Sequence, residues 1–326
     1  MTAAPSRRIA EVDAVRGLAL CGILAVNIVG MSGMPPGSGV APALYETALH
    51  QRFFPIFSFL FGVGSALFLR SAARHTDHPG ALLLARLGFL IFIGLAHRTL
   101  QPREVLLSYA VVGIVVLPPF SLLPRWAALG AGAVLTGAGL AAFHGGSALI
   151  PGLFLLGLAA ARYGLVDDLE RRPRRTAAAF GASALLALAA DGAQLLTGAR
   201  PGDSWLPATA GLLTGAAYVT GLLLLLRTRA APPLLAVLVP LGRAALTNYL
   251  TATVLIVIAL RVVPLDDAPH HDRVLMLSVA ILAVQTASSR WWLARFRYGP
   301  AEWAWRCLTW WKPLPNAIGS AGRTSG

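Results

Sequence analysis

Apolar residues in this chain come in runs close to the length a helix needs to cross a bilayer, broken by short segments containing Arg or Pro. The pattern predicts helices over 14–34, 53–70, 81–99, 105–123, 126–143, 148–164, 176–196, 205–226, 237–261 and 274–290. Within the ninth of these, Pro240 marks either a kink or the true start. Gly211 with Gly215, and the series Gly130, Gly132, Gly137 and Gly139, supply the small side chains that let helices approach closely. No soluble block, long linker or internal repeat divides the chain. It therefore reads as a single all-α polytopic domain over 1–326, with N-terminal helices over 14–143 and a C-terminal motif region over 237–312.

About ten spans force successive connections onto alternate faces, which turns the basic residues into a test of the count. All but six of the 27 Lys and Arg residues then fall on one face. The six are Arg52, Arg98, Arg103, Arg200, Arg261 and Arg273, joined by His144 and the cluster Asp266, Asp267, His270, His271 and Asp272. The positive-inside rule assigns the Arg-rich face, and with it both termini, to the cytoplasm of a multi-pass inner-membrane protein. Arg7 and Arg8 before an apolar stretch resemble a signal peptide, but Asp13 and Arg16 interrupt its start and no small-x-small cleavage site follows, so it reads as a retained first helix. The connection from Val166 to Arg175 begins acidic and ends basic, as a solvated loop touching anionic headgroups would.

Composition agrees: 56% of residues are hydrophobic, 13% are charged, and mean hydropathy is +0.67. The net charge of +13 raises nucleic acid as a partner. Its distribution argues against that, since the Arg residues sit between apolar runs and not in one patch interleaved with aromatics. The lipid bilayer is the expected partner, and association between copies is left open. Cys21 and Cys307 form neither a disulfide framework nor a metal-ligand pair, and no metal is expected. His270, His271 and the neighbouring Asp residues read as a water-facing loop.

Ionisable groups are costly in hydrocarbon, so they point to candidate sites. Asp13, Arg16 and Asn27 share one stripe of the first helix, because three- and eleven-residue steps return to the same face. Their structural reading is an interfacial ion pair with an Asn that holds a neighbouring helix. Arg86 and His97 keep the same eleven-residue spacing, and His97 lies a short turn from Glu104. The pair reads as a base with its orienting carboxylate, or as a structural His beside an acid. Ser108 shares the face of Glu104, and Tyr109 points elsewhere. Arg243 and Asn248 need partners in the ninth helix, and Arg16, Arg86 and Arg243 would form a cationic ring suited to phosphates or lipid headgroups. The aromatic and Arg-rich segment through Trp292, Arg295, Glu302, Trp303 and Arg306 reads as an interfacial helix, or alternatively as a lid over the bundle. Phosphate-binding loop, nucleophile elbow, zincin and Rossmann motifs are absent.

Taken in order, several blocks resemble one bacterial family. They are Arg8-Ile-Ala-Glu-Val-Asp13-Ala-Val-Arg16-Gly17 through Asn27, Arg52-Phe-Phe-Pro-Ile-Phe57 through Gly64, Arg86 to His97, Leu107-Ser-Tyr109-Ala, Gly242-Arg243 through Tyr249, and Trp292 through Arg306. These resemble the YeiB-like membrane proteins, which carry the DUF418 domain. Where that family's pattern has Gly-Asp, this chain has Pro102-Arg103-Glu104, a longer arm for the same carboxylate. The Asp-x-x-Arg-Gly opening is similar to that of the transmembrane acyltransferases, which move an acyl group from a cytosolic thioester to an acceptor across the membrane. That similarity implies acyl-CoA, in the first place acetyl-CoA, as cofactor, with Arg16, Arg86 and Arg243 at its phosphates. It also implies His97 and Glu104 near the outer face for a small or glycan acceptor, with His50 as a competing base. A permease and a non-catalytic scaffold are the alternatives.

Overall fold

The structure, a computed structural model, describes residues 7–165 and 172–318. Most of the acidic-to-basic loop predicted after Val166 lies outside these residues, as do Arg171 and Arg323. Thirteen α-helices are described: α1 Arg7–Ser32, α2 Val40–Leu44, α3 Phe53–Ala72, α4 Pro79–Arg98, α5 Leu106–Leu122, α6 Arg125–Phe143, α7 Ile150–Arg162, α8 Pro173–Thr197, α9 Trp205–Leu225, α10 Ala231–Arg243, α11 Ala245–Val262, α12 His271–Leu293 and α13 Pro300–Trp310. A π-helical turn, Tyr45–Leu49, joins α2 toward α3, and a 3₁₀ turn, Gly146–Leu149, precedes α7. The ends follow local chemistry. Proline occupies the first turn of α4, α7, α8, α10 and α13, where its missing N–H is not needed. Gly198 takes the left-handed conformation that stops α8.

Among the described residues, eight helical segments have the length and apolar composition to cross a bilayer, with α5 and α7 among the shorter apolar helices. Ends that should share a face do meet. At one end Arg70 of α3 donates to Ala161 O of α7, Arg162 donates to Phe120 O of α5, and Trp305 donates to Arg86 O of α4. At the other, Arg52 at the start of α3 meets Gln194 near the end of α8, and His144 after α6 meets Gly202 before α9. These are the pairings that alternating spans require. We call the two ends the Arg86 end and the Arg52 end. Outward faces are apolar and exposed, as in Leu188, Leu196, Val115, Val134 and Phe92. A bilayer solvates such surface, whereas water would not.

The helix predicted over 237–261 is instead two. The chain breaks at Ala244, with Pro240 inside α10 and a second helix, α11, beginning at Ala245. At 13 residues, α10 is about 20 Å long and falls short of a bilayer's hydrocarbon core. The break is stable because its exposed backbone groups find partners. Asn248 Nδ2 donates to Leu241 O at 3.2 Å and to Ser289 Oγ at 3.0 Å. Glu302 of α13 accepts from Leu246 N and Thr247 N at the start of α11.

Two glycine pairs allow backbone-to-backbone packing. A Cβ on Gly17 would meet Leu238 O and one on Gly242 would meet Asp13 O, so α10 lies directly on α1. Gly62 and Gly157 do the same between α3 and α7. Of the series in α6, Gly132 and Gly139 serve close contacts, whereas Gly130 and Gly137 face open space.

Candidate functional site

The Arg86 end opens into a chamber of about 580 Å³ between α1, α3, α4, α5, α10, α11 and α13. Its mouth carries Asp13, Arg16, Arg86, Arg243, Glu302 and Arg306, with Trp305 and Trp310 as part of the wall. Beyond the mouth the lining becomes apolar and aromatic through Ile23, Phe57, Phe61, Leu87 and Leu90, and it ends at Val105, Leu106, Tyr109 and Tyr249.

Helix geometry brings the cations together. Arg16 lies one turn from Asp13 and donates to its Oδ1 at 2.8 Å. Arg243 arrives because Gly242 seats α10 on Asp13, and its guanidinium donates to Arg297 O. Arg86 is sandwiched, its guanidinium carbon 3.5 Å from the Trp305 ring centre and 5.1 Å from that of Phe68. Arg306 stacks on Tyr298 at 4.3 Å. Both carboxylates at the mouth are engaged. Asp13 pairs with Arg16, while Glu302 caps α11 and accepts the Thr247 hydroxyl at 2.6 Å. Among the described residues, Arg86 and Arg306 have aromatic faces beside them and no carboxylate within ion-pair distance. The mouth thus sets four guanidiniums against two carboxylates, a surplus of donors.

His97 and Glu104 are brought together but outside the chamber lining. Both are buried, with Nδ1 of His97 3.8 Å from Glu104 Oε2. Nε2 lies 2.8 Å from Thr253 Oγ1, whose hydroxyl donates to Gln101 Oε1 at 2.8 Å. A hydroxyl has one proton, so with the amide oriented this way Thr253 accepts from Nε2–H and Nδ1 faces the carboxylate. Glu104 also accepts from Leu106 N and Leu107 N, which caps the start of α5. Tyr249 stands between this group and the chamber: it lines the blind end, and its ring centre is 5.0 Å from that of His97.

The other predicted residues are distributed as follows. Asn27 lies on α1 past Ile23 and is not in the lining, and Asn248 is buried in the α10–α11–α12 joint described above. In the C-terminal segment, Glu302 and Arg306 reach the chamber, while Trp292, Arg295 and Trp303 do not. Trp292 donates to Tyr298 O, Trp303 donates to Leu314 O, and Arg295 stacks on Trp291. Tyr109, set aside in favour of Ser108 on sequence grounds, is the residue that lines the chamber; its hydroxyl is 2.6 Å from Ser58 Oγ. His50 pairs with Glu46 at 2.8 Å on the Arg52 end.

Sequence reasoning missed one polar centre. Arg52 is wholly buried and bonds Thr47 O, His50 O, Asp191 Oδ1 at 2.7 Å and Gln194 Oε1 at 2.9 Å, while Thr214 donates to Asp191 Oδ2. The signal was available: Asp191 is an ionisable residue inside an apolar run. Among the described residues, no three or more His, Cys, Asp or Glu cluster as metal ligands would.

A bundle apolar on its outside, with helices crossing between two polar ends around an internal cation-lined chamber, is a polytopic helical membrane protein. Over residues 160–312 the chain matches the family described as "Protein of unknown function (DUF418)". It is 33% identical to the "Uncharacterized 39.9 kDa protein in amylase 3'region" of Bacillus acidopullulyticus, covering 94% of this chain and 95% of that one. It is also 24% identical to "Uncharacterized protein YxaH" of Bacillus subtilis (strain 168), covering 95% and 96% respectively. The chain belongs to the DUF418 family, as its motif blocks led us to expect.

Proposed function

We propose that this protein is a membrane-embedded acyl-group transferase of the bacterial inner membrane, which holds an anionic amphiphilic substrate in the chamber. One observation carries the reading: four guanidiniums face one mouth whose two carboxylates are already engaged. Such a site gains most from a phosphate, and both acyl-CoA and a lipid phosphate present one. In this reading the Arg86 end faces the cytoplasm, where acyl-CoA is found. His97 and Glu104, behind Tyr249, serve the acceptor side, where an imidazole paired with a carboxylate can store the proton released by a hydroxyl acceptor. The decisive experiment is incubation of membranes containing the protein with acyl-labelled acetyl-CoA. Label should move to a membrane or glycan fraction in the wild type and stay with CoA in Arg16→Gln/Arg306→Gln and His97→Ala variants. Transfer at the same rate in all three ends the proposal.

A transport reading has its own support in the break between α10 and α11, which brings Gly242 and Arg243 to the chamber. Discontinuous helices at a polar site are how many carriers build one. Uptake or efflux of an anion without chemical change would favour it.

A further inference from the structure

The chamber's mouth and its interior ask for different parts of a ligand. Resting on the reading above that the mouth holds an anion, we infer that the interior holds a hydrocarbon chain attached close to that anion, so that the chamber's own occupant is a single-chain lipid phosphate.

Between the guanidiniums and the blind end, the hydroxyls that reach the lining are those of Ser65, Tyr109 and Tyr249. Ser65 donates back to Phe61 O at 2.8 Å. The Tyr109 hydroxyl is held between Ser58 Oγ and Phe54 O, and that of Tyr249 accepts from Val105 N. The remaining wall is Leu, Ile, Val and Phe with Gly64 and Ala245. A pantetheine arm threaded through this space would carry two amides, four polar groups, past three hydroxyls of which Ser65 and Tyr109 already donate within the protein and Tyr249 alone keeps its O–H to give. Each unmet amide weakens binding by roughly 5- to 150-fold. An alkyl or prenyl chain has nothing to satisfy.

Dimensions agree. Asp13 to Ile23 on α1 is ten residues, about 15 Å, and Ser71 to Phe57 on α3 is fourteen, about 21 Å, at the helical rise. At about 1.25 Å of advance per bond of an extended chain, that is room for roughly 12–16 carbons. The phosphate then sits among Arg16, Arg86, Arg243 and Arg306, and the chain end meets Tyr249, with His97 behind it. Of the two anions named above, this assigns the chamber to the lipid phosphate and not to the thioester's arm.

The test uses soluble probes and protein in nanodiscs, with empty nanodiscs subtracted, by calorimetric titration. Inorganic phosphate, butyl, hexyl and octyl phosphate should bind in that order, each added methylene tightening binding about fourfold. Gly64 lines the chamber, and a Cβ there meets nothing within 4 Å, so Gly64→Leu adds bulk to the interior from a position open at the backbone. It should flatten the dependence on chain length and leave inorganic phosphate unaffected; Leu90→Trp is the second plug. Arg16→Gln/Arg306→Gln should weaken all four probes alike. Equal affinities along the alkyl series overturn the inference, as does acetyl-CoA binding more tightly than octyl phosphate and losing that binding in Gly64→Leu. If the Arg variants change nothing, it is the anion reading of the mouth that fails, whatever the chain dependence shows.

Discussion

Removing the carboxylate of Asp191 should be among the most damaging single changes in this protein. Arg52 has no exposed side-chain surface and Asp191 has 17%. The pair closes at 2.7 Å and ties α3 to α8, with Thr214 of α9 on the second carboxylate oxygen. A buried guanidinium deprived of its carboxylate costs about 3–5 kcal/mol, because its charge is left in a medium that cannot solvate it. In Asp191→Ala, Arg52 keeps Gln194 Oε1 and two backbone carbonyls, which soften the loss and favour the lower part of that range. At ~2 °C per kcal/mol for a large domain, the apparent melting temperature in detergent should fall by about 6–8 °C. Asp191→Asn retains an acceptor and should lie between wild type and Ala. The double variant Arg52→Leu/Asp191→Leu removes the charge with its partner and should be more stable than Asp191→Ala alone. If Asp191→Ala melts with the wild type, or if the single and double changes simply add, the pair is not the lock described here.

Four further outcomes follow from the same geometry. Gly242→Leu should destabilise by more than ~1–3 kcal/mol, since the new side chain meets Asp13 backbone, whereas Gly130→Ala and Gly137→Ala should leave melting unchanged or raise it slightly. Thr253→Val strands His97 Nε2 and Gln101 Oε1 and should cost about 1–3 kcal/mol in thermal unfolding, with Thr253→Ser restoring most of it. Trp305→Ala removes the face against Arg86, a contact of about 0.5–2 kcal/mol, and should speed labelling of a cysteine placed at Ser71 in the chamber wall. Cysteines placed at Arg74 and Arg172 should react with an impermeant reagent from one side of the membrane, and those at Arg98 and Arg200 from the other. Any other partition of these four breaks the alternation of spans.

The crossing helices were legible in the order of residues because lipid offers no partner to a backbone amide: a run apolar and long enough must be a helix, wherever its neighbours lie. The same one-dimensional logic put Arg16, Arg86 and Arg243 at a common depth, since 1.5 Å per residue fixes how far each sits from a helix end. Which of them share a cavity is a matter of azimuth and neighbours. Gly17 and Gly242 had to be matched before Arg243 could meet Arg16, and α13 had to dock through Glu302 before Arg306 and Trp305 could join them. Asn248 carried the marks of a site residue, yet its amide serves the break at Ala244, a break that a hydropathy run cannot reveal because both halves are equally apolar. The short turn between α4 and α5 similarly placed His97 near Glu104, but that Tyr249 stands between them and the chamber depends on how α11 is rotated against α4. Rotation is set by packing between segments far apart in the chain, and it leaves no trace in the spacing along any one of them.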